Sequence, residues 1–141
     1  MLDDKEGNEG RPLVSVALAD DDSSTRYLLQ SLLNRNGCKV MAAKADGTGL
    51  MDAYQHLRAI NRAPDIILLD ISMPGAMNGI DVLKAILEID PNAFVIMISG
   101  ETDAEVVKEV IASGASGFIV KPFTVGRIRD MIQSYRKKAG L

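Results

Sequence analysis

The sequence predicts a doubly wound α/β domain with a five-stranded parallel sheet and five helices. Three observations support this fold class. Short apolar runs alternate five times with longer segments of helical periodicity, two of the runs lack polar residues, and polar residues directly follow several of the runs. Regular alternation of strands and helices is typical of a parallel sheet covered by helices on both faces.

The five apolar runs are short enough to be strands and are bounded by turn residues. The third and fourth runs, IILL and AFVIMI, show no alternation between apolar and polar residues. This pattern is typical of strands buried on both faces, so these two are expected at the centre of the sheet. The predicted strands are Leu13 to Ala19, Lys39 to Ala43, Ile66 to Leu69, Ala93 to Ile98 and Gly117 to Val120.

The helical segments repeat apolar residues at spacings of three and four, so each has one face suited to the sheet. Asp22, followed by two serines, is a candidate N-cap of the first helix, and Gly37 is placed to end it. Thr102 and Glu105 form a candidate capping box for the fourth helix. The predicted apolar stripes are Leu28, Leu29, Leu32 and Leu33; Leu50, Tyr54 and Leu57; Leu83, Ile86 and Leu87; Val106, Val107, Val110 and Ile111; Ile128, Met131, Ile132 and Tyr135.

Length and composition indicate one domain of an ordinary globular protein. The chain has 141 residues, of which 47% are apolar and 25% charged. No apolar run is long enough to cross a bilayer, and the acidic start does not resemble a secretory signal, so we expect a cytoplasmic protein. The net charge of −3 argues against direct nucleic-acid binding. We expect residues 1–12 to be a flexible tail and residues 13–141 to form the domain.

Cysteine and histidine are too scarce to build a site. Cys38 is the only cysteine, which excludes an internal disulfide and suits a reducing compartment, and we expect it to be buried as a small apolar side chain. His56 lies on the second helix, far from every strand end, and is expected to be a surface residue without a role.

The chemistry is expected at the carboxyl ends of the strands. Ligands of open parallel sheets bind beyond these ends, where the strand order reverses. Four of the five predicted strands are followed there by polar residues from separate parts of the sequence. These residues are Asp20, Asp21 and Asp22 after the first strand, Asp70 after the third, Ser99 after the fourth and Lys121 after the fifth.

Carboxylates gathered in one pocket repel each other, so they either stay partly protonated or hold a cation. Oxygen ligands without cysteine or a nearby histidine favour Mg²⁺ or Mn²⁺. A lysine at the same place adds a second positive charge, and cations of this kind are what phosphoryl transfer requires. An aspartate can itself be the nucleophile. Taken alone, however, the acidic triplet is better explained as a helix N-terminus that carries carboxylates, and only the addition of Asp70 and Lys121 favours a site.

Four separated motifs of the sequence resemble those of a known family. The chain is similar to the receiver domains of two-component response regulators, particularly the stand-alone chemotaxis type, over residues from about 13 to 138. The matching segments are ADDDSSTRYLL, ILLDISMPG, VIMISG and GASGFIVKPF, in this order. The resemblance implies a flavodoxin-like sheet with strand order 2-1-3-4-5.

The resemblance also implies a role for each matching residue. Asp70 would accept the phosphoryl group, Lys121 would contact it, and Ser99 would hydrogen-bond it while Phe118 moves inward. The surface of the fourth helix, fifth strand and fifth helix would then change shape for a downstream effector protein. The implied phosphoryl donor is a histidine kinase or a histidine phosphotransfer protein, and a phosphorylation-dependent homodimer is compatible with the pattern. The implied metal-site residues are Asp21, Asp70 and the carbonyl of Ser72 as direct ligands, with Asp20 holding a metal-bound water.

The sequence departs from the family pattern in the loop after Asp70. This loop has one additional residue, expected to bulge near Gly75 and Ala76, and Asn78 stands where aspartate is common. Gly100 is expected to leave one side of the pocket open, and Glu101 is a secondary candidate for an influence on dephosphorylation. Two alternatives remain: a receiver-like interaction module that works without phosphorylation, and an enzyme on the same architecture. The sequence offers no Walker or dinucleotide glycine motif for the second.

Overall fold

A computed structural model describes residues 13–100 and 104–141. The strands are β1 (Val14–Ala19), β2 (Cys38–Lys44), β3 (Ile66–Asp70), β4 (Phe94–Ser99) and β5 (Gly117–Val120). The helices are α1 (Ser23–Arg35), α2 (Gly47–Ala59), α3 (Gly79–Ile89), α4 (Ala104–Ala112) and α5 (Val125–Ala139). The predicted strands are thus placed correctly to within about a residue at each end, which is the usual uncertainty of such boundaries.

The five strands form one parallel sheet in the order β2-β1-β3-β4-β5. Every residue of β3 and β4 is buried, as their unbroken apolar runs predict. The fold class and the strand order are therefore confirmed. In this order β1 and β3 are neighbours although α1, β2 and α2 lie between them in sequence, so the strand order reverses beside β1. Ligand sites of such sheets lie where the strand order reverses.

Two apolar layers cover the sheet because successive side chains of a strand point to opposite faces. On one face, Val16 and Leu18 of β1 pack with Leu29 of α1 and Ile128 of α5. On the other face, α2, α3 and α4 cover Ala17, Ala19 and their neighbours through Leu50, Tyr54, Val82, Leu83, Ile86 and Val110. Both faces of the sheet are consequently buried, and its carboxyl edge is left for polar residues.

Two residues of the predicted apolar stripes are exposed instead. Leu28 is 44% exposed on α1 and Ile111 is 52% exposed on α4. Consecutive helical residues differ by about 100° around the axis. Leu28 and Ile111 each stand next to a fully buried residue, Leu29 and Val110 respectively, and are therefore turned about a quarter of the circumference away from the sheet.

The predicted helix signals at Asp22 and Gly37 are found at the two ends of α1. Asp22 is the N-cap of α1, and α1 ends at Arg35 with Gly37 in the left-handed region at φ 79°. Thr102 of the candidate capping box lies outside the described residues, as do Glu101 and the predicted tail of residues 1–12.

Of the helices that the structure describes, none combines the length and apolar character needed to span a membrane.

Candidate functional site

Four strand ends bring the candidate residues to one edge of the sheet. Asp20 follows β1, Asp70 is the last residue of β3, Ser99 is the last of β4, and Lys121 follows β5. Asp70 pairs with Ile98 in the sheet, so Ser99 lies one residue beyond the partner of Asp70. The parallel register places these residues side by side at the carboxyl edge.

Three carboxylates form a cluster at this edge. One oxygen from each of Asp20, Asp21 and Asp70 lies within 4.8 Å of the other two. Asp20 is fully buried and Asp70 is 5% exposed, whereas Asp21 is exposed. The cluster is therefore open to solvent on the side of Asp21 and closed behind Asp20.

Lys121 joins two of these carboxylates. Its Nζ lies 2.8 Å from Oδ2 of Asp20 and 3.3 Å from Oδ2 of Asp70, and its side chain is 25% exposed. The peptide bond between Lys121 and Pro122 is cis. The three carboxylates and this ammonium carry charges of −3 and +1, so the cluster retains an excess charge of −2.

Burial and neighbouring charges shift the pKa values of Asp70 and Lys121. Burial raises the pKa of Asp70 above its ordinary value, and repulsion from Asp20 adds to this, although Lys121 acts in the opposite direction. Burial alone would lower the pKa of Lys121, but contact with Asp20 and Asp70 outweighs it, so the net pKa is raised. Lys121 thus remains an ammonium at neutral pH. The ionised form of Asp70 is less favourable than in water, and a bound cation would stabilise it.

Asp20 is held at its N–H, its carboxylate and its carbonyl. Its N–H donates to the carbonyl of Lys44 at 3.1 Å, and its Oδ1 accepts a hydrogen bond from the N–H of Asp22 at 2.9 Å. Its carbonyl accepts a hydrogen bond of 2.8 Å from Nη1 of Arg26. Arg26 was not predicted to belong to the site. Its position on α1 does not indicate that its side chain extends back to the end of β1.

The buried Oδ2 atom of Asp20 shows that the cluster suits a cation. Lys121 Nζ is in ion-pair contact with this atom, yet within the described residues no donor forms a hydrogen bond of good geometry with it. A buried carboxylate oxygen without a hydrogen bond is costly, and a water on a bound ion would remove that cost by donating to it. All donors are hard oxygens, as Mg²⁺ and Mn²⁺ prefer. The residues therefore fit the expected metal.

The loop after β3 is fixed tightly beneath Asp70. The N–H of Ser72 donates to Oδ1 of Asp70 at 3.2 Å. Gly79 begins α3 directly against the carbonyl of Asp70, and a Cβ atom at this position would overlap that carbonyl. No larger residue fits there without moving the backbone of Asp70.

Asn78 supports the same loop from its other end. Its side chain accepts a hydrogen bond from the N–H of Asp81, and the Asp81 carboxylate accepts one from the N–H of Asn78, which completes a capping box. Gly75 adopts a φ of 98° in the exposed part of the loop, where the sequence predicted a bulge. The departure from the usual aspartate thus keeps a helix-capping side chain at position 78.

Ser99 and Phe118 lie on the strands beside Lys121. Ser99 is 5% exposed, and its carbonyl accepts a hydrogen bond of 2.8 Å from the N–H of Lys121. Phe118 pairs with Met97 and packs, partly buried, against the apolar layer below α4. Next to Ser99, a Cβ at Gly100 would find no atom of the described residues within 4 Å.

The remaining candidates lie away from the cluster or serve the helix. The carboxylate of Asp22 accepts hydrogen bonds from the hydroxyl and the N–H of Thr25, and these lower its pKa. Asp22 therefore belongs to the helix cap, as expected. Cys38 is buried, which raises the pKa of its thiol to about 11. His56 is exposed on α2.

Comparison with known proteins identifies the family. The family described as the response regulator receiver domain matches residues 16–133. Chemotaxis protein CheY of Thermotoga maritima is 36% identical over 122 residues, which cover 86% of this chain and 97% of that protein. Sporulation initiation phosphotransferase F of Bacillus subtilis is 32% identical over 120 residues, covering 85% of this chain and 91% of that protein.

A solved structure shows the same architecture. CheY in the CheX-CheY-BeF3-Mg+2 complex from Borrelia burgdorferi superposes with a TM-score of 0.78 at 34% identity, covering 86% of this chain and 87% of that one. The residues that match the family include the whole acidic cluster and Lys121. The chain therefore belongs to the response regulator receiver domain family and is most readily compared with its chemotaxis members.

Proposed function

We propose that this protein is a phosphorylation switch in which Asp70 accepts a phosphoryl group from a histidine kinase or a histidine phosphotransfer protein. The observation that carries the proposal is the convergence of Asp20, Asp21, Asp70 and Lys121 on a volume small enough for one ion and one phosphoryl group. Membership of the receiver family and similarity to a sporulation phosphotransferase support the same conclusion.

Asp21, Asp70 and the carbonyl of Ser72 would hold the metal, with Asp20 holding one of its waters. When bound, Mg²⁺ or Mn²⁺ would neutralise charge on the phosphoryl oxygens. The CheX-CheY complex from Borrelia burgdorferi contains both magnesium and BeF3, which agrees with such a site. The excess charge of −2 in the cluster would attract a divalent cation.

The chain's own residues carry the transfer. A carboxylate oxygen of Asp70 forms a bond to phosphorus as the bond from phosphorus to the donor's imidazole nitrogen breaks, and the imidazole keeps that electron pair. The backbone N–H of Ser72 and the ammonium of Lys121 hold the Asp70 carboxylate in place for this attack. Lys121 then lies beside the new phosphoryl oxygens, where its charge is needed most.

The same contacts would drive the switch. The phosphoryl group adds close to two negative charges, and only an arrangement that pairs them with Lys121 and Ser99 stabilises the modified state. Phe118 would follow Ser99 inward and change the surface formed by α4, β5 and α5, where a downstream effector binds. We place this activity in the cytoplasm, and a phosphorylation-dependent homodimer is one form that the effector complex can take.

The decisive experiment is incubation with acetyl phosphate and Mg²⁺, followed by intact-protein mass spectrometry. We expect the mass of one phosphoryl group to be added to the wild type and to Asp52→Asn, which removes an exposed carboxylate of α2, but not to Asp70→Asn. Omission of Mg²⁺ should abolish the addition. Failure of every donor to modify the wild type would support the interaction module that works without phosphorylation.

The switch has its own test. Phe118→Ala should leave Asp70 able to accept the phosphoryl group but reduce the difference in effector affinity between the two states. Binding of a purified effector to both states is measured by isothermal titration calorimetry. An unchanged ratio of the two affinities in Phe118→Ala would exclude Phe118 from the coupling.

A further inference from the structure

Arg26 reaches from α1 to the main chain of the acidic cluster. It lies in the first turns of that helix, is partly buried, and donates from Nη1 to the carbonyl of Asp20 at 2.8 Å. Its own N–H donates to the carbonyl of Asp22 at 3.0 Å, as the helix begins. The arginine therefore spans the turn that carries all three consecutive aspartates.

The atom that Arg26 contacts determines its effect. The carbonyl of Asp20 belongs to the peptide group that joins Asp20 to Asp21, so fixing this oxygen fixes the backbone from which the Asp21 side chain departs. The N–H and Oδ1 of Asp20 are already held by Lys44 and Asp22. Without Arg26, rotation of this peptide would move Asp21 relative to Asp20 and Asp70.

We propose that Arg26 is a positioning residue of the cation site, which holds the peptide between Asp20 and Asp21 so that the three carboxylates face a single ion. This inference rests on the function proposed above for the same cluster. A guanidinium suits the task because it is always charged and presents its donors in a rigid plane. Residues that orient metal ligands in this way typically influence metal affinity by about 10-fold to 100-fold.

A purely structural role of Arg26 makes a different prediction. If Arg26 only anchored α1, its removal would lower the stability of the protein without changing the intrinsic affinity for Mg²⁺. If it positions the ligands, the affinity for Mg²⁺ falls even where the stability of the metal-free protein is little changed. Metal affinity and metal-free stability therefore have to be measured on the same variants.

The test uses the full chain with Arg26→Met, Arg26→Lys and the control Arg35→Met. Methionine keeps an unbranched apolar stem but donates no hydrogen bond, while lysine keeps the charge with a different donor geometry. Arg35 lies exposed in the last turn of α1, so the control removes the same charge from the same helix. Mg²⁺ affinity is measured by isothermal titration calorimetry, and stability by urea unfolding in EDTA.

We expect Arg26→Met to weaken Mg²⁺ binding by about 10-fold, at the lower end of the usual range for such residues. Arg26→Lys should lie between this variant and the wild type, and Arg35→Met should bind like the wild type. Labelling of Arg26→Met by acetyl phosphate should recover at saturating Mg²⁺. Arg26→Lys supplies the affinity comparison should Arg26→Met not fold.

Two results overturn the inference in distinguishable ways. Wild-type affinity for Mg²⁺ in both Arg26 variants, whatever their stability, would leave Arg26 with a structural role only. A wild type that neither binds Mg²⁺ nor becomes labelled would overturn the proposed function, and the role of Arg26 with it.

Discussion

Replacing Lys121 by methionine should expose the electrostatic cost of the acidic cluster. The change keeps an unbranched side chain but removes the charge between Asp20 and Asp70. At the observed distances of 2.8 and 3.3 Å, the two attractions amount to about 6 and about 5 kcal/mol at an effective dielectric constant of about 20. Desolvation of the three groups offsets most of this gain.

The net loss of stability should be about 3 kcal/mol, the lower end of the range for breaking a buried ion pair, because Lys121 is a quarter exposed. The chain has no tryptophan, so urea unfolding is followed by far-UV circular dichroism in EDTA. Lys84→Met, which removes an exposed lysine of α3, serves as the control and should be nearly neutral.

Saturating Mg²⁺ should reduce the deficit of Lys121→Met, because an ion that binds only the folded protein stabilises it and replaces the missing positive charge. The electrostatic explanation is refuted if Lys121→Met is no less stable than Lys84→Met in EDTA. It is refuted equally if the deficit is the same with and without Mg²⁺, since carboxylate repulsion would then not be its cause.

Three further outcomes follow from the same contacts. The raised pKa of Asp70 means that its carboxyl group costs the metal-free protein stability as the pH rises from 3.8 through the folded-state pKa. In urea unfolding, the stability of Asp70→Asn relative to the wild type should therefore increase over this pH window and then level off. A stability difference that does not depend on pH would contradict this. Gly79→Ala should cost about 2 kcal/mol in thermal or urea unfolding, because its Cβ meets the backbone of Asp70. Asn78→Ala should cost about 1 kcal/mol through loss of the cap of α3, measured in the same way, and a neutral effect would show that the capping box is not stabilising.

Much of the fold could be predicted because local patterns determine it. The unbroken apolar runs of β3 and β4 require burial on both faces, and the structure buries all of their residues. Periodicity alone located the helices but overestimated the width of their buried faces, as the exposure of Leu28 and Ile111 shows. The strand order came from the resemblance to receivers, because alternation of strands and helices is compatible with several orders.

The residues of the candidate site could be named, but not their contacts. Sequence position after a strand indicates which edge of the sheet a side chain occupies, and this placed Asp20, Asp70 and Lys121 together. It does not indicate that Lys121 approaches Asp20 more closely than Asp70, or that Gly79 touches the Asp70 carbonyl. Such contacts depend on loop paths and side-chain torsions that no local pattern encodes.

The contacts around Asp20 and Asp70 differ in a way that suits their proposed roles. Asp20 is fully buried and held through its N–H, its carbonyl and Oδ1, so it has little freedom to move. Asp70 has one backbone donor, from Ser72, and a raised pKa. Asp20 is fully buried, whereas Asp70 is 5% exposed and lies in the same cluster as the exposed Asp21, so a phosphoryl donor reaches Asp70 more readily. Reaction at Asp70 also places the new charge beside Lys121. The same asymmetry would make Asp20 a poor nucleophile even though it lies closer to the lysine.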